Sequence, residues 1–293
     1  MKDFRADLFI AFLGYEARCT HVARKVEGIA CRKIALTSAG HISEFSYALN
    51  KAYYLKQGFE IVPVRGEVPD LEPFLPADSS GKLNILFDCT GMSQRWYYEL
   101  FRWLSVLEGY EKVMLRFTYS VAEYTAPASA PKVKRIQDFL SSETKKKKLK
   151  EALILGLGHE ENIARSITRM IKPDLQYLFY TDPAIDVQYV QKVLVNNHEI
   201  ISDTPIRNLI AYPIRNGQSI YKSLIEIILP LRNEYALTLI PQGPKIFSVA
   251  AMLVHLSYPD VRISYPVYHK KLALEKHASG EPVLLDISFE TDE

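Results

Sequence analysis

FIAFLGYE (Phe9–Glu16) and LILGLGHE (Leu153–Glu160) are the two stretches that decide the fold. Each is a short apolar run that breaks at a Gly and then offers an acid. A run of that length, bounded by a turn residue, reads as a buried strand of a parallel sheet. Further along each half a second run also breaks at a Gly: NILFDCTGMSQ (Asn84–Gln94) and YALTLIPQGPK (Tyr235–Lys245). A helical stretch follows each, then a third run carrying Tyr, VMLRFTYS (Val113–Ser120) and VRISYPVY (Val261–Tyr268). The order repeats although few side chains do. The sequence therefore predicts an α/β protein of two tandem Rossmann-like parallel-sheet halves, an internal duplication. Each strand-to-Gly break is where an open α/β sheet places a ligand.

Between these runs, apolar residues at helical spacing predict helices at about Thr20–Glu27, Ser43–Gln57 and Gln94–Glu108 in the first half. The second half reads as helices at Glu161–Ile171, Asp186–Asn196, Ser219–Arg232 and Ile246–Leu256. Val133–Leu140 also has the spacing of a helix. SSETKKKKLK (Ser141–Lys150) reads as a linker, so the domains are expected at 1–145 and 146–293. The acidic tail after His277 carries one more strand-like run, Val283–Ile287.

The 293 residues, 48% hydrophobic and 24% charged, suit a globular protein with a full core. A formal net charge of +2 gives no argument for binding duplex nucleic acid. The three cysteines, Cys19, Cys31 and Cys89, lack metal-ligand spacing, so neither a metal site nor another cofactor is expected. The run Leu8–Leu13 is too short for a signal segment or a membrane span, and a cytoplasmic protein is expected.

Four turns carry the candidate chemistry. In Gly14-Tyr15-Glu16-Ala17-Arg18, Gly14 permits close approach of a ligand, Arg18 suits phosphate, and Glu16 suits a ribose hydroxyl, a base amino group or proton transfer. An equally plain reading has Glu16 paired with Arg18. The matching turn, Gly156-Leu157-Gly158-His159-Glu160-Glu161-Asn162, offers His159 as acid, base or donor, with Asn162 beside it. Asp88-Cys89-Thr90-Gly91-Met92-Ser93 puts a carboxylate, hydroxyls and open N–H groups at one strand end. Thr90 or Ser93 as a helix N-cap is compatible with that. In Pro241-Gln242-Gly243-Pro244-Lys245, Lys245 stands at a helix start, where positive charge is unfavourable unless an anion shares the place. No GxGxxG occurs, so a dinucleotide fingerprint is not supported.

At Asp88-Cys89-Thr90-Gly91-Met92-Ser93, between a strand and a helix, the chain resembles the CARF (CRISPR-associated Rossmann fold) family. Members carry an Asp-x-Thr-Gly-Gly-Thr-like turn there and a second motif after strand one, where this chain has Gly14–Arg18. Here Met92 replaces the second Gly and Ser93 the Thr, and Pro241–Lys245 lacks the Asp-x-Thr-Gly part. The resemblance implies binding of a nucleotide or oligonucleotide second messenger at a pseudo-twofold cleft, in an antiviral setting.

The expected function is binding of a nucleotide-type, phosphate-bearing ligand by a sensor or regulatory subunit. Gly14, Glu16, Arg18, Asp88, Thr90, Gly91 and Ser93 form one expected site; Gly158, His159, Asn162, Gly243 and Lys245 form its equivalent. A sensor with no effector domain in view needs a protein partner or signals by homo-oligomeric assembly. Two rivals stand beside it. One is a hydrolase or transferase acting on a nucleotide or phosphorylated substrate through Glu16, Asp88 or His159. The other is a protein-interaction scaffold.

Overall fold

The computed structural model describes residues 4–26, 28, 30–38, 40, 42–64, 69–76, 81–125, 131–140, 149–269 and 273–290. In chain order the first elements are β1 (Ala6–Phe12), α1 (His21–Lys25), β2 (Ala30–Thr37), α2 (Tyr47–Lys56), β3 (Glu60–Pro63), β4 (Lys82–Asp88), α3 (Gln94–Leu104) and β5 (Lys112–Tyr119). Then come β6 (Val133–Asp138), β7 (Lys150–Gly156), α4 (Ile163–Ile171), β8 (Leu175–Thr181), α5 (Val187–Asn196), α6 (His198–Ser202) and β9 (Leu209–Tyr212). The last are α7 (Gly217–Leu231), β10 (Tyr235–Ile240), α8 (Lys245–Ser257), β11 (Arg262–Tyr268) and β12 (Val283–Glu290).

These make two sheets, with strand orders β12-β5-β4-β1-β2-β3 and β6-β11-β10-β7-β8-β9. The two orders are the same pattern. In each, the first strand lies at the centre, the second and third extend one way, and the fourth and fifth the other, all parallel. An antiparallel strand closes the outer edge next to the fifth. The fold is thus α/β with a generic Rossmann-like architecture.

The edge strands are exchanged. β6 follows β5 in sequence yet pairs with β11, whereas β12 follows β11 and pairs with β5. Accordingly the chain divides into Met1–Glu123 with Ala273–Glu293, and Tyr124–Leu272. That replaces the single boundary expected near residue 145. The segment expected to link the halves falls largely on 141–148, outside the described residues. The expected helix over Val133–Leu140 is corrected to a strand over Val133–Asp138. Its apolar residues fit a helical period, but antiparallel pairing with β11 decides the outcome, as tertiary context commonly does for short segments.

The central strands are apolar on both faces because helices cover both. In the first unit Phe9, Ala11 and Leu13 pack with Val22, Tyr54 and Phe59. On the other face Tyr97 and Phe101 of α3 meet Phe117 with ring centroids 6.3 and 6.1 Å apart. In the second unit Leu153, Leu155 and Leu157 pack with Ile163, Ile167 and Ile200. β12 is held along its whole length by eight residue pairs, and Arg116 grips Asp286 with two hydrogen bonds of 2.7 and 2.6 Å. Among the described residues no helix is long and apolar enough to cross a membrane.

Candidate functional site

In the first sheet the order reverses between β1 and β4, because β1 continues to β2 on one side while β3 returns to β4 on the other. The carboxyl ends of those two strands are therefore a topological switch point, the usual ligand edge of an open α/β sheet. The Gly14–Arg18 turn leaves β1 and the Asp88–Ser93 turn leaves β4, and they lie side by side as the sequence predicts. A Cβ placed on Gly14 would sit 2.7 Å from Cε1 of Phe12 and 3.1 Å from Sγ of Cys19. One placed on Gly91 would sit 3.0 Å from the same sulfur and 3.2 Å from Cδ1 of the same Phe12 ring. Both turn glycines thus make room for one aromatic ring and one thiol. Gly91 also has φ of 77°, a left-handed conformation that Gly alone adopts readily.

The charged residues of these turns are engaged within the protein. Glu16 accepts from Nε of Arg18 at 2.6 Å, and the guanidinium also donates to the Ser120 carbonyl at 2.6 Å. The two side chains are about nine-tenths buried. Asp88 is fully buried, and its Oδ1 accepts from the Thr90 N–H at 2.9 Å and the Thr90 hydroxyl at 2.5 Å. Thr90 Oγ1 in turn accepts from the Ser120 N–H at 2.8 Å. Asp88 and Thr90 thereby fasten the ends of β4 and β5 together. Ser93 is the N-cap of α3 with extended backbone, and its side chain makes no capping bond.

A cavity of about 320 Å³ opens at this edge between the two turns. Gly14, Gly91 and Ser93 line it, and so do the rings of Phe12, Tyr15 and Trp96. Glu16, Arg18, Asp88 and Thr90 are not among the lining residues. Burial, together with the neighbouring carboxylates of Glu16 and Glu44, pushes the Tyr15 phenol up, so it is a neutral hydroxyl near pH 7. Burial pushes the Cys19 thiol up to about 12, so it too is neutral and a poor nucleophile.

The turn after β1 is held from behind by Asn50 of α2, a residue that sequence reasoning passed over. Its Nδ2 donates to the carbonyls of Gly14 and Glu16, both at 2.9 Å. An Asn in the middle of the predicted helix Ser43–Gln57 was the available signal, since Asn is unfavourable in a helix interior unless its amide has a partner.

The second unit repeats this framework. Leu157 N–H donates to the Phe179 carbonyl at 2.7 Å, as Leu13 N–H does to Leu36 at 2.8 Å, so Gly158 corresponds to Gly14. Gly243, φ 83°, corresponds to Gly91. Asn197 takes the part of Asn50, donating to the Gly158 carbonyl at 2.9 Å. Here, however, the turns press on each other. A Cβ on Gly156 would meet the Gln242 carbonyl at 2.4 Å, and one on Gly243 the Leu157 carbonyl at 2.6 Å. His159 is packed edge to face against Tyr124 and Tyr189, with centroids 5.7 and 5.0 Å away. Asn162 is the exposed N-cap of α4, in a left-handed conformation, and Lys245 is the first residue of α8.

Another hollow, about 530 Å³, lies in the second unit beside Arg165, Arg169, Leu175 and Gln176. Leu175 begins β8, so this hollow is at the amino edge of the sheet, away from the usual ligand edge. A smaller one beside Asn162, Asn196 and His198 is bordered by the Arg165–Glu199 ion pair. Among the described residues no group of three or more His, Cys, Asp or Glu gathers that could hold a metal ion.

Compared with known proteins, the chain matches no family model and no curated protein.

Proposed function

We propose that this protein binds a nucleotide-type ligand at the β1/β4 edge of its first unit and acts as a sensor or regulatory subunit. The observation that carries this reading is the cavity itself. Two glycine turns meet at the topological switch point and leave an aromatic-lined space of about 320 Å³ there. That volume is at the lower end of ordinary small-molecule sites, about 300–1,000 Å³. The shared strand order, the equivalent glycines and the paired Asn50 and Asn197 support descent by internal duplication. The CARF-like turn at Asp88–Ser93 agrees with nucleotide sensing in antiviral defence. Cys19 and Cys89 are buried thiols outside any disulfide, which agrees with a reducing, cytoplasmic setting.

A sensing role fits this site better than acid–base catalysis. Glu16 is spent on Arg18, and Asp88 is buried in the Thr90 network, so neither carboxylate faces the cavity. The reading is tested by native mass spectrometry of protein purified from its host, followed by calorimetry with the nucleotide found. A nucleotide that co-purifies and rebinds to wild type supports it. Protein that carries no nucleotide and gives no heat with any nucleoside or nucleotide would overturn it.

A further inference from the structure

We propose that the first-unit cavity recognises its ligand by a neutral, planar heteroaromatic ring, a nucleobase with its sugar, and not by the phosphate. The inference rests on the reading of this edge as a nucleotide site and specifies which end of the ligand enters.

Three observations lead to it. The first concerns charge. No Lys or Arg is among the described lining residues; of the two cations near it in sequence, Arg18 is turned to Glu16 and the Ser120 carbonyl, and Arg95 pairs with Glu99 at 3.3 Å. An anion placed there would gain no ion pair in return for its lost hydration.

The second concerns shape. Phe12 and Trp96 stand nearly perpendicular, 79° between planes with centroids 5.6 Å apart. A flat guest stacked on one ring meets the other at right angles, so both preferred aromatic geometries are available at once. Tyr15 supplies a third ring, itself backed by Phe45 at 5.8 Å. Phe12 occupies room left by the two turn glycines, since a methyl group on Gly14 would strike its ring at 2.7 Å and one on Gly91 would crowd it at 3.2 Å. The strand-end glycines Gly14 and Gly91 therefore serve the aromatic wall instead of an approach to phosphate.

The third concerns polarity. The side-chain hydrogen-bonding groups of the lining residues are the hydroxyls of Ser38, Ser93 and Tyr15 and the indole N–H of Trp96. Hydroxyls suit the mixed donors and acceptors of a base edge or a ribose. The volume of about 320 Å³ admits one nucleoside and not a folded oligonucleotide, whose remaining length would lie outside.

Isothermal calorimetry on the full chain separates the possibilities. The probes are adenosine, guanosine, cytidine and uridine, their 5′-monophosphates, and inorganic phosphate. The proposal expects at least one nucleoside to bind with a Kd within threefold of its monophosphate, and phosphate alone to give no heat. Trp96→Ala and Trp96→Leu, checked for folding by circular dichroism, should weaken that nucleoside at least tenfold; the Leu variant keeps apolar bulk where Ala unfolds. A monophosphate bound more than threefold tighter than its nucleoside, or a nucleoside indifferent to Trp96→Leu, overturns the ring-recognition proposal and leaves nucleotide binding intact. Silence from every nucleoside and nucleotide overturns both.

Discussion

Asn50→Ala should destabilise the first unit strongly, although Asn50 is a polar residue on a helix. Its amide satisfies the carbonyls of Gly14 and Glu16, each at 2.9 Å. Asn50 itself is 4% exposed, and Gly14 and Glu16 are buried, so water does not replace the lost donors. A buried carbonyl left unsatisfied costs about 1–3 kcal/mol, and two cost roughly 2–6 kcal/mol. Asn50→Asp keeps the shape but turns a carboxylate toward two carbonyl oxygens, so its loss should be at least as large. Both tryptophans, Trp96 and Trp103, lie on α3 of the same unit, so tryptophan emission follows this unit's unfolding. With a urea dependence of about 1–3 kcal/mol per molar, the midpoint should fall by about 0.7 M or more at unchanged slope. A loss below about 0.5 kcal/mol in both variants, the range of a neutral surface change, would refute the clamp.

Gly91→Ala imposes a left-handed conformation on an L side chain and crowds Cys19 and Phe12; it should cost about 1–2 kcal/mol, read by thermal melting, and weaken ligand binding. Thr90→Val strips the hydroxyl that joins Asp88 to the Ser120 N–H and should cost about 1–3 kcal/mol, whereas Thr90→Ser should retain most stability in the same melt. Cys19 should resist alkylation at pH 8 in the native protein and react once unfolded, by mass-spectrometric counting of labels. Because its folded value, about 12, lies above the ordinary 9.0, the unfolded thiol ionises first, and the stabilisation present below pH 9 is lost as pH rises toward 12.

The parts of this fold visible in the sequence were those set by local patterns. The apolar runs ending at Gly14, Gly91, Gly158 and Gly243 named the strands, and their order placed the two first-unit turns together. Hidden from it were the features that depend on partners distant in sequence. Val133, Ile136 and Phe139 are spaced like a helix face, and only pairing with β11 makes that segment a strand. β12 was visible as a strand, but not its return to β5. At the site, residue type suggested that Glu16, Arg18 and Asp88 would face a ligand. The Arg18–Ser120 bond, spanning 102 positions, turns that charge inward, and no local pattern carries it. The aromatic wall went unread for a related reason: Phe12 and Trp96 each look like ordinary core residues until the two turns are brought together.

The most direct test of the account is the pair of indole N–H resonances of the folded chain, followed by NMR during a nucleoside titration, with Trp103→Phe to assign them. Trp96 lines the cavity and Trp103 does not. The account predicts a saturable shift of the Trp96 signal, with that of Trp103 little changed. An unmoved Trp96 resonance at nucleoside concentrations that saturate binding by calorimetry would contradict it.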